Sequence, residues 1–398
     1  MIQKTDHQTE SEIAFDSLLK QIDEIGRTII QPHSSAVDRD ARFPVESIDA
    51  LKNLKLLSAY IPVSLGGMGL RVTQIARICE ALGQYCGSTA MIYAMHQIQV
   101  ACVVHHLGDS DYFRDYLKNV VSQQLVMASA TTELGTGGDL SSSICAISVA
   151  DGKFNLVKQS PVISYGAFAD DILVTTRRSA ESSSSDQVHV LVHKNDCRLD
   201  PISGWDTLGF RGTCSSGYTL TATGLAVQIL PAPFSDILRH TMHPFAHITW
   251  ASLWLGIATD AVGRARAYVR AEARKSPGTT PISAMRLAET DSVLQLMRSN
   301  VHTAAQDYDA MIATNDPEVF NNFGFSIRTN NLKLSSSQLI VELVGRAMLI
   351  CGISGYRNDS KYSLAQHLRD AYGAALMVNN DRLINHNATL LMAYKEGK

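Results

Sequence analysis

Hydrophobic and polar positions along the chain follow three successive patterns, and each pattern predicts a different kind of structure. Up to about residue 120, apolar side chains recur at helical spacing, as at Ile75, Ile78 and Leu82, which is typical of a helix buried on one face. From about 125 the chain breaks into short β-rich runs such as DDILVTTRR, which predict strands. The helical period returns from about 236. We therefore expect three domains, at residues 1–124, 125–235 and 236–398.

The composition restricts the class of protein. The 398-residue chain is 45% hydrophobic and carries a formal net charge of -3, so it can bury a large core and lacks the clustered basic surface of a nucleic-acid-binding protein. Its start is polar, and no apolar run approaches the roughly 20 residues that span a bilayer. The seven cysteines are scattered without a C-x-x-C pair. These features predict a cytoplasmic protein with no metal, nucleic-acid or membrane partner.

Two glycine-rich turns carry the chemical signal of the chain. ASATTELGTGGDL occupies residues 128–140 and LGFRGTCSSGYTL occupies residues 208–220. In this order and spacing the pair resembles the T-E-P-G-x-G-S-D and G-x-R-G-T/S turns of the acyl-CoA dehydrogenase family. IPVSLGGMGL at 61–70 resembles a third family turn, and the likeness covers essentially the whole chain. It implies an α+β fold with an N-terminal helical domain, a central β-barrel or sandwich and a C-terminal four-helix bundle.

The resemblance also implies a bound flavin, with FAD expected and FMN as the alternative. In the family, the first glycine-rich turn and a W-I-T/S strand contact the flavin ring; here that strand lacks the shielding tryptophan, which is replaced by Val162. Arg274 corresponds to a family arginine that reaches the FAD pyrophosphate, often across a subunit boundary. A plain β-turn and a solvated arginine are the structural alternatives. The implied cofactor-binding residues are Ser129, Thr131, Thr132, Gly137, Gly138, Ile163, Ser164, Arg274, Gly352, Asn379 and Asn380.

The catalytic base of the family has no counterpart at either of its usual positions. A family dehydrogenase removes the α-proton of an acyl thioester with a glutamate. One glutamate position falls on Val378 and the other on Ala246, and neither side chain accepts a proton. Val378 retains the backbone N–H that helps to bind the thioester carbonyl in the family. We expect His247 or Asp381 to replace the base.

Structural roles compete with catalysis among the ionisable residues near these positions. Asp381 or Asn380 would make a good N-cap for the last helix. His96 and His386 are further base candidates, but a lone histidine on an apolar helix is usually a hydrogen-bonded core residue.

Three functions remain open from the sequence. The first is a dehydrogenase for an acyl thioester, bound to CoA or to a carrier protein, with a displaced base. The second is a two-component monooxygenase that receives reduced flavin from a reductase and uses O2, and the third is a degenerate homologue that binds a ligand or partner. The resemblance implies a homotetramer or homodimer and an electron-transfer partner.

Arg369 and Asp370, in an L-R-D-A stretch, are expected to form a structural ion pair.

Overall fold

The computed structural model describes residues 2–137, 139–275, 278 and 280–395. The N-terminal part is helical, and α5 runs through its centre with nearly every side chain buried, because its sequence is apolar on all sides. Ser110 caps α6 by accepting a hydrogen bond from the Phe113 N–H. The helices are α1 (Ile2–Ile25), α2 (Gln31–Arg39), α3 (Val45–Asn53), α4 (Val72–Gly83), α5 (Gly87–His106) and α6 (Asp111–Gln123).

The central part contains two small β-sheets. One has the strand order β1-β4-β5, with β1 parallel to β4, and the other has the antiparallel order β2-β3-β7-β6. Residues along β3 alternate between exposed and buried, so one face of that strand covers the core. The strands are β1 (Met127–Ala130), β2 (Ser148–Ala150), β3 (Lys153–Ser160), β4 (Asp171–Arg177), β5 (Gln187–His193), β6 (Cys197–Ser203) and β7 (Gly217–Leu225).

The C-terminal part is a bundle in which α8, α9 and α10 pack together and α12 and α13 pack on α10. The expected α+β architecture of two helical parts around a β domain is therefore confirmed. Pro281 immediately precedes α9, and Asn322 caps α10 by accepting hydrogen bonds from the Gly324 and Phe325 N–H groups. The helices are α7 (Phe234–Ile237), α8 (His243–Ala273), α9 (Ile282–Ile312), α10 (Phe323–Cys351), α11 (Ile353–Tyr356), α12 (Ala365–Leu376) and α13 (Asn380–Ala393).

Helix α10 is more apolar than the sequence analysis anticipated. It is 29 residues long and contains an 18-residue window of mean hydropathy 1.4, which is enough by length and composition to cross a membrane. The helix packs against α8, α9 and α12, and it buries Asn330 and Lys333 in the bundle. Its apolar character is accounted for by its place in the core of the bundle.

The N-terminal and C-terminal helices meet at a close crossing of α4 and α8. A Cβ on Gly83 would lie 2.4 Å from the Leu253 carbonyl oxygen, and one on Gly256 would lie 2.1 Å from the Glu80 carbonyl oxygen. Only glycine fits at these two points, because any side chain would force the helix backbones apart. The part of α8 around Gly256 therefore packs closely against α4 of the same chain.

Candidate active site

The buried side chain of Glu133 anchors the glycine-rich loop that follows β1. This buried carboxylate accepts hydrogen bonds from the Ser143 hydroxyl at 2.8 Å and from the Ile144 and Cys145 N–H groups, the former at 3.1 Å. Lys158 of β3 lies 3.8 Å away from the carboxylate. Because its oxygens are bonded to the loop, Glu133 serves as a structural anchor.

Lys158 is one of two fully buried lysines in the described part of the chain. Burial lowers the pKa of its ammonium group to about 8, while the Glu133 carboxylate acts in the opposite direction. Its Nζ also donates to the Thr175 carbonyl oxygen at 2.6 Å, which ties the two sheets together. The ion pair therefore fixes the position of the glycine-rich loop relative to both sheets.

The predicted flavin contacts of the β domain lie at and just after the ends of strands β1 and β3. Thr132 donates from its hydroxyl to the Val162 carbonyl oxygen at 3.2 Å, which joins the glycine-rich loop to the Val162–Ser164 segment. Ser164 accepts a hydrogen bond from the Ser215 hydroxyl at 2.8 Å, and Ile163 is fully buried. The two glycine-rich sequence motifs are thus brought together through Ser164 and Ser215.

Ser129, in β1, and Thr131 and Gly137, in the loop that follows β1, are further predicted flavin contacts. The hydroxyl groups of Ser129 and Thr131 lie 3.4 Å apart. Gly137 has a φ of 60°, in the left-handed region that favours glycine, and a Cβ there would meet no atom within 4 Å. Gly138, also predicted to contact the flavin, lies outside the described residues.

The first turn of α13 reaches the glycine-rich loop. Arg382 donates a hydrogen bond to the Gly137 carbonyl oxygen. Asn379 is the N-cap of α13, since its side chain accepts from the Asp381 N–H at 2.8 Å. This corrects the expectation that Asn380 or Asp381 would supply the cap. The Asp381 side chain is exposed to solvent.

Val378 occupies the turn between α12 and α13 in an unusual backbone conformation. Its φ of 48° lies in the left-handed region, where a β-branched residue is strongly disfavoured. Lys333 of α10 donates to the Val378 carbonyl oxygen at 2.7 Å and to the Asn380 side-chain oxygen at 2.6 Å. Val378, which is predicted to occupy the family's glutamate position, is therefore held by a buried lysine.

His247 lies inside the bundle, in the second turn of α8. Its ring is 1% exposed, its Nδ1 lies 3.1 Å from the Thr329 carbonyl oxygen, and the His243 ring centroid is 4.1 Å away. Burial, reinforced by His243, lowers the pKa of His247 well below its usual value. His247 is therefore neutral at physiological pH. His96 is also buried and is bonded through both ring nitrogens, as expected of a core histidine.

The other implied cofactor residues lie at the opposite end of the bundle. Arg274 directly follows α8 and is therefore roughly 40 Å along the helix from His247, at 1.5 Å per residue. Gly352 ends α10 with a φ of 57°, and a Cβ there would meet no atom within 4 Å. The structure thus separates the predicted residues into one group around the glycine-rich loop and a second group at the far helix ends.

Arg369 and Asp370 do not pair with each other, contrary to expectation. Arg369 pairs with Asp38 of α2, while Asp370 accepts a hydrogen bond from the Phe210 N–H at 2.6 Å. Successive helix residues point in different directions, so adjacent charges on α12 reach different partners. Burial raises the pKa of Asp370 to about 7. Asp38, Arg369 and Asp370 line a polar cavity of about 460 Å³.

Sequence reasoning missed Lys333 and Arg382. Lys333 lies among polar residues in TNNLKLSSSQ, and Arg382 lies at the start of an amphipathic helix, where a solvated charge is the usual interpretation. The available signal for Lys333 was its position between Leu332 and Leu334, which favours burial, and a buried cation requires a partner.

The chain is similar to known proteins over most of its length. Residues 15–124 match the acyl-CoA dehydrogenase N-terminal domain, and residues 241–377 match the acyl-CoA dehydrogenase C-terminal domain. The probable acyl-CoA dehydrogenase YngJ of Bacillus subtilis (strain 168) is 26% identical over 363 residues, which cover 88% of this chain and 90% of that protein.

Solved structures share the fold. FMN-bound TdsC from Paenibacillus sp. A11-2 has a TM-score of 0.83 at 18% identity, covering 95% of this chain and 98% of that one. Butyryl-CoA dehydrogenase from Megasphaera elsdenii has a TM-score of 0.81 at 20% identity, with the same coverage. Three observations point to the same family: the two matched domains, the three-part fold and the paired glycine-rich turns. The chain therefore belongs to the acyl-CoA dehydrogenase family of flavin-dependent oxidoreductases.

Proposed function

We propose that this protein dehydrogenates an acyl thioester, carried by CoA or a carrier protein, with His247 in place of the family glutamate. The relatives support the reaction class, since YngJ is described as a probable acyl-CoA dehydrogenase. The chemistry requires a group that removes an α-proton and a donor that stabilises the resulting negative charge on the thioester oxygen.

The observation that carries this proposal is the hydrogen bond of His247. The Thr329 carbonyl oxygen can only accept, so Nδ1 of His247 carries the ring proton and Nε2 holds a lone pair. Burial keeps the ring neutral but also lowers its basicity, so His247 can accept the α-proton only where the enolate that forms beside it stabilises the imidazolium. The preceding residue, Ala246, is at the family's alternative glutamate position. In our mechanism, His247 removes the α-proton and the Val378 N–H binds the thioester oxygen.

The loop residues suit a flavin. Thr131, Thr132 and Ser164 supply hydroxyl groups near the ends of β1 and β3, and Gly137 leaves its surroundings free of side-chain atoms. A flavin held there supplies the two-electron acceptor that the dehydrogenation requires. We propose FAD over FMN because Arg274 can pair with pyrophosphate oxygens. Asn379 and Asn380 complete the proposed set through the turn that carries Val378.

We further propose that the flavin site is shared between subunits. Arg274 and Gly352 lie too far along the bundle to join the glycine-rich loop of the same chain at the flavin ring. Large apolar side chains are exposed on the helices around Gly352, as expected of an interface between copies. They include Leu349, Ile353 and Tyr356. A dimer or tetramer would cover them.

A two-component monooxygenase is the second candidate. Val378 and Ala246 supply no carboxylate, and the ionisable group bonded to the Val378 backbone is the cation of Lys333. Oxygen insertion does not need a base for an α-proton. A solved structure of TdsC describes it as dibenzothiophene monooxygenase. This reaction would require a separate reductase that supplies reduced flavin, whereas the dehydrogenase would pass electrons to an electron-transfer partner.

Anaerobic titration of the flavin-loaded protein with acyl thioesters separates these functions. The dehydrogenase reaction bleaches the oxidised flavin absorbance without an added reductant. In His247→Gln the rate of bleaching should fall at least about a hundredfold, because a positioned base contributes roughly that much or more. Flavin content should be unchanged, and His302→Gln, a partly exposed histidine on α9 that pairs with Glu80, is the control.

Two outcomes would redirect the proposal. A loss of bleaching in Asp381→Asn, with His247→Gln fully active, would transfer the role of the base to Asp381. No bleaching of the unmodified protein by any thioester, together with oxygen consumption when reduced flavin is supplied, would favour the monooxygenase.

A further inference from the structure

Lys333 is a buried cation whose hydrogen bonds all go to neutral oxygens. Its side chain is 0% exposed, and in the described part of the chain no carboxylate lies within ion-pair distance of Nζ. The short bonds go to the Val378 carbonyl and the Asn380 side chain, and a long contact of 3.5 Å goes to the Ala375 carbonyl. The three acceptors lie in the last turn of α12, in the turn that connects α12 to α13 and at the first residue of α13.

The turn held by Lys333 contains a strained residue. Val378 adopts a φ of 48°, which is disfavoured by its β-branched side chain, so surrounding contacts must hold it there. Ser337, one helical turn after Lys333, also bonds to Asn380, with the amide nitrogen at 3.1 Å from its hydroxyl. Lys333 and Ser337, one helical turn apart on α10, therefore hold the carbonyl group of Val378 and the side chain of Asn380.

The N–H of Val378 is left available by this arrangement. Within the described residues, that N–H makes no hydrogen bond to a protein acceptor, whereas the Val378 carbonyl oxygen is bound by Lys333. Val378 itself is partly exposed. Backbone N–H groups without partners persist at sites where a ligand oxygen completes them.

We propose that Lys333 is a positioning residue that holds Val378 in its left-handed conformation and thereby aims the Val378 N–H at the thioester oxygen of the substrate. This inference rests on the proposed dehydrogenase function and adds to it the group that maintains the oxyanion donor. Lys333 acts through the backbone and does not touch the substrate. The cation also favours negative charge at the thioester oxygen, which develops as the α-proton leaves.

The test is the carbonyl stretch of a bound acyl-CoA labelled with 13C at the thioester carbon, measured by infrared difference spectroscopy. In the unmodified protein, binding should lower the stretching frequency, because the Val378 N–H polarises the carbonyl. In Lys333→Met this shift should fall by at least about half, and the rate of flavin bleaching by about tenfold or more, since a misaligned oxyanion donor stabilises less charge.

A second substitution separates positioning from general damage to the bundle. Glycine adopts the left-handed region without strain, so Val378→Gly in the Lys333→Met background should restore most of the infrared shift. Ser336→Ala removes a buried hydroxyl that makes no hydrogen bond within the described residues, and it is the control on the same helix.

The outcomes distinguish this inference from the function on which it rests. If the unmodified protein binds no thioester, both fail. If it binds thioester with a shifted carbonyl and Lys333→Met gives the same shift and rate, the positioning role is wrong and the proposed function stands. A loss in Lys333→Met that Val378→Gly leaves unrelieved also contradicts the positioning role.

Discussion

The two buried lysines of this protein occupy opposite electrostatic situations. Lys158 lies between the β-sheets beside the carboxylate of Glu133, whereas Lys333 lies in the helical bundle with only neutral oxygens as partners. Burial lowers the pKa of each to about 8. The two lysines are thus buried to the same degree, but Lys158 neutralises a buried carboxylate, whereas the partners of Lys333 among the described residues are neutral.

This difference separates stability from function. Removing Lys158 would leave Glu133 as an uncompensated buried charge, whereas removing Lys333 would leave only neutral acceptors and would relieve the desolvation of an ammonium group. Stability therefore accounts for Lys158 but gives little reason to retain Lys333. A residue that costs stability without an evident structural return is typical of a functional site.

Lys158→Met should have the largest effect on stability. We expect the free energy of unfolding to fall by about 3–5 kcal/mol, because the Glu133 carboxylate remains buried without its cation. Urea unfolding followed by circular dichroism measures this change. The double variant Lys158→Met with Glu133→Gln should recover part of the loss; an undiminished loss there would mean that packing, and not charge, dominates.

The pH dependence of stability should give the next largest effect. The folded pKa of Lys333, about 8, lies below the unfolded value of about 10.4, so the unfolded state binds more protons between these values and stability rises with pH. Between pH 8 and 9.5 the unmodified protein should gain about 2 kcal/mol relative to Lys333→Met. Ionisation of cysteines common to both proteins cancels in this difference.

Parallel urea titrations at several pH values provide the measurement. A difference that stays constant with pH would show that the ammonium group of Lys333 is not destabilised by burial. The same comparison with Lys158→Met places the two lysines on one scale.

The smallest effect should be that of Lys333→Met at pH 7. We expect its free energy of unfolding to stay within about 1 kcal/mol of the unmodified protein, because unpaired acceptors and the relieved desolvation offset each other. Thermal unfolding checks this value. A loss as large as that of Lys158→Met would remove the contrast between the two regions and make Lys333 a structural residue.

Most of the fold could be predicted from the sequence because its signals are local. Helical and strand periodicities gave the three parts in the right order, and the glycine-rich turns gave the family. Gly83 and Gly256 could not be matched to each other, because their contact joins helices that are far apart in the chain. The pairing of Arg369 with Asp38 was missed for the same reason.

The candidate site was less predictable than the fold. Val378 and His247 could be proposed from the sequence, since their positions follow from spacing relative to the family motifs. The sequence could not reveal that Val378 is left-handed or that Lys333 holds its carbonyl, because backbone conformation and burial arise only when α10, α12 and α13 pack together. The assignments of the flavin contacts, His247 and Asp381 remain predictions.

The crossing of α4 and α8 has a consequence for how this sequence can change over evolutionary time. At Gly83 and Gly256 each helix touches the other's main chain, so every single-nucleotide change that alters these residues adds atoms where none fit. Neighbouring side chains can drift, because they fill space that can be repacked. The crossing therefore restricts both glycines of this chain together, whereas the side chains around them can be exchanged.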